Sequence, residues 1–272
     1  RNGKFEEATW DEAIDLVADK LSEIKAEHGA DSICGLSSAK CTNEDNYIFQ
    51  KFIRAAVGTN NVDHCARLCH ASTVAGLARA FGSGAMTNSI EELKHAECIF
   101  IIGSNTTEAH PVMGLGVKEA VVKNGAKLIV ADPRQIDITR FAKLHVSQKP
   151  GTDVALINAM MHVIIEEGLH DKTFIEERTE DFEKVAEVVK DFTPEKVEEV
   201  TGCPQDRFET VCQTYAATGE TGKAGTIMYA MGTTQHTYGT QNIRGYAILQ
   251  LILGNIGVTG GGINALRGTS NV

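Results

Sequence analysis

Two apolar runs constrain this chain more than anything else in it. AECIFIIGSN (96–105) and AKLIVADPR (126–134) each carry several apolar residues in a row and then end in polar, turn-forming residues. A run without polar alternation suits a strand covered on both faces, as strands of parallel sheets are. Between them lies HPVMGLGVKEAVVKNG, which reads as one helix closed by glycine. Strand, helix and strand make a βαβ unit. The pattern continues: LHVSQKPGTD (144–153) reads as a short strand and turn, AGTIMYAMGTTQ (224–235) as another strand with a polar end. Helical stretches fill the gaps, from DVALINAMMHVIIEEG to QDRFETVCQTYAA, and TQNIRGYAILQLILGN follows the last strand. The expected fold is therefore α/β, a doubly wound and mostly parallel, Rossmann-like sheet.

In such sheets ligands collect outside the carboxyl ends of the strands, near the point where strand order reverses. The polar ends here are Gly103–Ser104–Asn105, Asp132–Pro133–Arg134, Gln148 to Asp153, and Gly232 to Gln235. They are expected on one side of the sheet, around a cofactor. Asp132 could accept hydrogen bonds from ribose hydroxyls or guanine nitrogens, and Arg134 could pair with phosphate. The plainer reading is a polar turn with proline at its second position. No G-x-G-x-x-G opens the first βα turn, which argues against an ordinary NAD enzyme. GVTGGGINA is glycine-rich, but it follows a helix and opens no obvious one.

The first sixty residues are less decisive. TWDEAIDLVADKLSEIKAEHG reads as an amphipathic helix with Thr9 as N-cap, Glu12 closing a capping box and Gly29 ending it. DSICGLSS reads as a short buried strand, and NEDNYIFQKFIRAAVG as a second helix stopping at Gly58.

Composition removes several function classes. The formal net charge of -10 disfavours binding to nucleic acid. No apolar run reaches the roughly 18 residues that a membrane span needs. Seven irregularly spaced cysteines do not form a disulfide framework and suit a reducing compartment. Two of them, Cys65 and Cys69, share the segment HCARLCH with His64 and His70. Adjacent Cys–His pairs are poor geometry for a four-ligand zinc site, and the run lacks the three or four closely spaced cysteines of an iron–sulfur cluster. A catalytic thiol beside histidine or a buried helical cysteine remain open. Cys34, Cys41, Cys98, Cys203 and Cys212 fit the inert, buried class.

NNVDHCARLCHASTVAGL resembles the metal-ligand segment of molybdenum- or tungsten-dependent formate dehydrogenases of the molybdopterin oxidoreductase family. GSGAMTNSIEEL, GSNTTEAHPV, GAKLIVADPR, LHVSQKPGTDVALINAM, MYAMGTTQHTYGTQNI and LILGNIGVTGGGINALRGTSNV are similar to family blocks in family order, so the resemblance covers essentially the whole chain. It implies Cys69 as the protein ligand of Mo or W, with His70 and Arg267 beside it as catalytic residues, Arg267 holding the carboxylate of formate. It implies two molybdopterin guanine dinucleotides: Gly103, Asn105, Asp132, Pro133, Arg134, Gly151 and Asp153 would contact one, and Met231, Gly232 and Gln235 the other. The implied activity is reversible oxidation of formate to carbon dioxide. The ordinary titration range of histidine would let His70 orient substrate or move a proton.

The resemblance further implies a [4Fe-4S] cluster in an N-terminal domain outside this sequence, iron–sulfur or flavin electron-transfer subunits as partners, and a cytoplasmic location. The alternatives are another molybdopterin oxidoreductase, nitrate reductase-like, and a cofactor-free structural homologue. The expected organisation places the first half of an α/β domain, shared with downstream sequence, at 1–64. A Rossmann-like pterin-dinucleotide domain follows at 65–266, and 267–272 return toward the first domain.

Overall fold

The computed structural model describes residues 3–220 and 222–267; of the expected return at 267–272, only Arg267 lies within them. The chain divides into two compact units, Arg1–Leu68 and Cys69–Val272.

In the first unit, helix α1 (Trp10–His28) has the anticipated capping box, Thr9 and Glu12 each bonding the other's backbone N–H. Strand β1 (Gly35–Ser37) pairs in parallel with β2 (Val62–His64). Helix α2 (Asn43–Lys51) does not run unchanged to Gly58: Phe52–Val57 continue it as a π-helix. The core is small, built on Ile33, Ile53 and Val57. Two expectations fail for that reason. Leu36 in β1 is 71% exposed while Gly35 is buried, so the strand is only partly buried, and Cys34 and Cys41 are exposed rather than inert core thiols.

The second unit holds a five-stranded parallel sheet ordered β5–β4–β3–β6–β7, with β3 Cys98–Ile102, β4 Lys127–Ala131, β5 Leu144–Val146, β6 Gly225–Tyr229 and β7 Ile263–Ala265. The chain starts at the centre, winds outward through β4 and β5, then returns to β6 on the other flank. The topological switch therefore lies between β3 and β6. Alternation sorts the strand residues. Phe100, Ile102, Ile129, Ile227 and Tyr229 join one apolar cluster, and Ile99, Ile101, Leu128, Val130 and Met228 join another. Each large side chain buried this way contributes roughly 1.5–3 kcal/mol, which is why the strands read as unbroken apolar runs.

Helices cover both faces. They are α3 (Ala71–Phe81), α4 (Thr106–Ala109), α5 (Pro111–Asn124), α6 (Asp153–Glu166), α7 (Lys172–Arg178), α8 (Phe182–Val189), α9 (Pro194–Thr201), α10 (Gln205–Ala216), α11 (Met231–Thr234) and α12 (Gly239–Ile252). α5 starts with Pro111 at its first turn, where a missing N–H costs nothing. α3 lies against α12 so closely that a Cβ on Gly76 would sit 2.8 Å from Ile243. β7 was not anticipated. The glycines that lead into it, Gly260 to Gly262, are buried and the approach is held by side chains: Asn255 donates to Thr218, and Gln250 donates to the carbonyl of Gly262.

Candidate functional site

The carboxyl ends of β3, β4, β5 and β6 open onto one cavity of about 680 Å³. Gly103, Asn105, Asp132, Pro133, Arg134, Gly151, Asp153, Met231 and Gly232 line it, and so does Cys69. Nine of the ten expected dinucleotide contacts thus stand around one space. The tenth, Gln235, is exposed and lies off this wall.

The walls are built by local chemistry. Asp132 Oδ1 accepts from the N–H of Arg134 at 2.8 Å, closing a side-chain turn that fixes the carboxylate at the strand end. The plain turn reading of this segment is therefore correct as far as it goes, and it leaves Arg134 exposed on the cavity rim. The buried Asp153 accepts from Gln148 Nε2 at 3.1 Å, and burial raises its carboxyl above the usual range. Gly151 has φ +85, and a Cβ there would meet the Tyr238 hydroxyl at 2.7 Å. The tightest approach is at the switch point itself. Gly232 N–H donates to the Gly103 carbonyl at 3.1 Å, and a Cβ on either residue would fall within 3 Å of the other's backbone.

Cys69 and His70 lead directly into α3. The Thr234 hydroxyl donates to the Cys69 carbonyl at 3.2 Å, tying this turn to α11. His70 is 4% exposed. Its Nε2 lies 3.0 Å from the Leu266 carbonyl oxygen and its Nδ1 2.9 Å from Thr73 Oγ1. Burial is the main cause that pushes His70 down to about 4, with Arg267 and His110 opposing its charge further. The expectation that it titrates in the ordinary histidine range does not hold.

Arg267 sits beside His70 electrostatically but does not line the cavity. It donates to the Gly84 carbonyl, and its Nε is buried without a partner. Cys65, in the first unit, accepts from Ala39 N–H at 3.3 Å. That bond and the one to His64 lower its thiol pKa. Among the described residues no group of three or more His, Cys, Asp or Glu side chains is arranged to hold a metal ion.

The sequence reading missed His110 and His236, both on the cavity wall. His110 precedes Pro111, a position biased to extended backbone, and the H–P pair at a helix start was the available signal.

The family profile described as molybdopterin oxidoreductase matches residues 1–272. The chain is 46% identical over 272 residues to the F420-dependent formate dehydrogenase 1 subunit alpha of Methanococcus maripaludis, covering all of this chain and 39% of that protein. It is 48% identical over 268 residues to the F420-dependent formate dehydrogenase subunit alpha of Methanocaldococcus jannaschii, covering 98% of this chain and 38% of that protein. It is 44% identical over 273 residues to formate dehydrogenase H of Escherichia coli, covering all of this chain and 38% of that protein. Among solved structures, acetylene hydratase from Pelobacter acetylenicus superposes with a TM-score of 0.74 at 29% identity, covering 96% of this chain and 35% of that one.

Proposed function

Because the chain belongs to the molybdopterin oxidoreductase family, we propose that it is the cofactor-binding centre of the catalytic subunit of a molybdenum- or tungsten-dependent formate dehydrogenase. The reaction is the reversible two-electron oxidation of formate to carbon dioxide. The observation that carries this reading is the convergence of the strand-end loops and Cys69 on one cavity at the sheet's switch point. Identity to proteins named formate dehydrogenase selects the reaction. The likeness to a protein named acetylene hydratase is a reminder that this fold alone does not fix chemistry.

The residues present fit the cofactor. Asn105 Oδ1 and Gln148 Oε1 are buried with no protein partner. Such acceptors are costly unless a donor arrives, and a guanine or pterin N–H would supply one. Gly103, Asn105, Asp132, Pro133, Arg134, Gly151 and Asp153 bind one molybdopterin guanine dinucleotide, and Met231, Gly232 and Gln235 line the second. Bound Mo or W with its two pterin dithiolenes supplies the two-electron redox centre. Cys69 would give it a soft thiolate ligand. Arg267 offers formate's two oxygens a planar fork, and its unpartnered Nε supports that role. Both ring nitrogens of His70 are engaged, which supports an orienting role exerted through its neighbours rather than by direct contact with substrate.

Electrons would leave through a [4Fe-4S] cluster and iron–sulfur or flavin subunits outside these residues, in the cytoplasm; no helix among the described residues is long and apolar enough to cross a membrane. The chain spans about two fifths of the curated relatives it matches. Residues 1–64 are read as the first half of an α/β domain that downstream sequence completes, with 65–266 as the dinucleotide-binding domain and 267–272 as the return. The apolar face of α1, exposed at Trp10, Ile14 and Val17, supports that organisation.

The test is a pair of substitutions in the full-length subunit. Cys69→Ser should cut formate oxidation by at least about a thousandfold, a barrier change of roughly 4 kcal/mol, with loss of a sulfur scatterer at the metal edge in X-ray absorption. Cys65→Ser should do far less. Equal losses from both, or purified subunit without Mo, W or pterin, would reject the assignment.

A further inference from the structure

His70 is not held by its neighbours in sequence alone. Its Nε2 faces the Leu266 carbonyl at 3.0 Å, and a carbonyl oxygen can only accept. Nε2 therefore carries the hydrogen. Nδ1 faces Thr73 Oγ1 at 2.9 Å, and the Tyr229 hydroxyl donates to that same oxygen at 3.0 Å. All of these bonds are buried. If Nδ1 also donated, Thr73 Oγ1 would receive two donors and its own buried proton would lose its acceptor. With Nδ1 as acceptor, every group is satisfied along one line: Tyr229 to Thr73, Thr73 to His70, His70 to Leu266. The Tyr229 ring also meets the imidazole edge-on, with centroids 6.2 Å apart.

We propose that Thr73 and Tyr229 are positioning residues: they lock His70 in its Nε2–H tautomer and so fasten the Leu266–Arg267 segment to the first turn of α3, beside Cys69. Strand β6, helix α3 and the end of β7 are joined by this one ladder. It ties to His70 a segment that is distant in sequence, Leu266 lying 196 residues on, and with it the adjoining Arg267. Both ring nitrogens are engaged while it is closed, so His70 steers Arg267 and presents no spare ring nitrogen to substrate. The proposal rests on the reading of Arg267 as the formate-binding residue.

The experiment uses the full-length subunit with its cofactor, labelled with [15N]histidine, and His70→Asn to assign the resonances. In the wild type, Nε2 should appear as a protonated, pyrrole-type nitrogen and Nδ1 as a pyridine-type one. Thr73→Val keeps the shape but removes the donor. It should move the Nδ1 resonance and raise KM for formate about tenfold, the worth of one ordinary buried hydrogen bond, with a smaller change in kcat. Tyr229→Phe should act in the same direction more weakly. Thr73→Ser keeps the hydroxyl and should restore the wild-type spectrum. A wild-type Nδ1 that is protonated, or a Thr73→Val protein with wild-type spectrum and KM, would overturn the proposal. The nitrogen spectra do not depend on turnover. A wild type with the expected tautomer that ignores formate would sink the formate reading and leave the ladder standing.

Discussion

Residues 3–68 and 69–267 begin from similar sequence patterns and end in different states of burial. Both contain well-marked amphipathic helices and short strands. In the second unit, α6 and α12 each bury nine residues. In the first, α1 buries none, and Trp10 is 83% exposed. Helical periodicity is a local property that a segment carries by itself. Burial requires a second surface, and the five-stranded sheet with its helices supplies a far larger one than the small core on Ile33, Ile53 and Val57. Local structure and packing are thus separable in this molecule, and substitutions can separate them.

The largest effect should come from the centre of the sheet. Phe100 is fully buried and lies 5.7 Å from the Tyr215 ring, centroid to centroid. Phe100→Ala should cost about 3–5 kcal/mol in chemical denaturation. Trp10→Ala in the same 272-residue chain should cost less than about 1 kcal/mol, as exposed substitutions do. A Trp10 loss approaching that of Phe100 would break the comparison.

Thiol chemistry should show the same contrast next in size. Burial pushes Cys98 up to about 12 and Cys203 to about 11, whereas hydrogen bonds lower Cys65. Alkylation follows the thiolate fraction and access. Near pH 8, Cys65 should label at least about a hundredfold faster than Cys98, Cys203 or Cys212, read by peptide mass spectrometry. Raising the pH should narrow the gap only as the buried thiols approach their own pKa values. Labelling of Cys98 at the rate of Cys65 in folded protein would contradict the packed sheet.

The smallest effect sharpens the comparison from the other side. Thr9→Ala removes a cap from a helix that has little tertiary support, and should cost roughly 0.5–2 kcal/mol of helix stability. Circular dichroism of the native chain should lose a little helical signal with no change in the sheet's unfolding midpoint.

Legibility divides along the same line. The βαβ unit and the strand-end loops could be read because unbroken apolar runs and abrupt polar ends are written in contiguous residues. The α1 capping box could be read because Thr9 and Glu12 are three residues apart. β7 could not: Ile263–Ala265 is too short to show a period, and its strand state comes from pairing with β6. The exposure of Cys34 and Cys41 was hidden because it depends on the small extent of the first unit's core. His70 was expected to titrate near neutrality, but burial pushes it down against the raising effect of its bond to Leu266, and that burial depends on residues as far away in sequence as Leu266. Residue type suggested a group that orients substrate or moves a proton, and the distant carbonyl that engages its Nε2 could not be read from it.

The glycine pair at the switch point sets a gauge for the whole cavity. Gly103 and Gly232 meet backbone to backbone, with no room for a Cβ on either. The spacing of the two central loops is therefore a dimension that no choice of side chain at those positions can retune. Any widening or narrowing of what the cavity admits has to be made by the side chains that line it elsewhere, such as Asn105, His110, Arg134 and Met231, while the gap between the two central loops keeps its width.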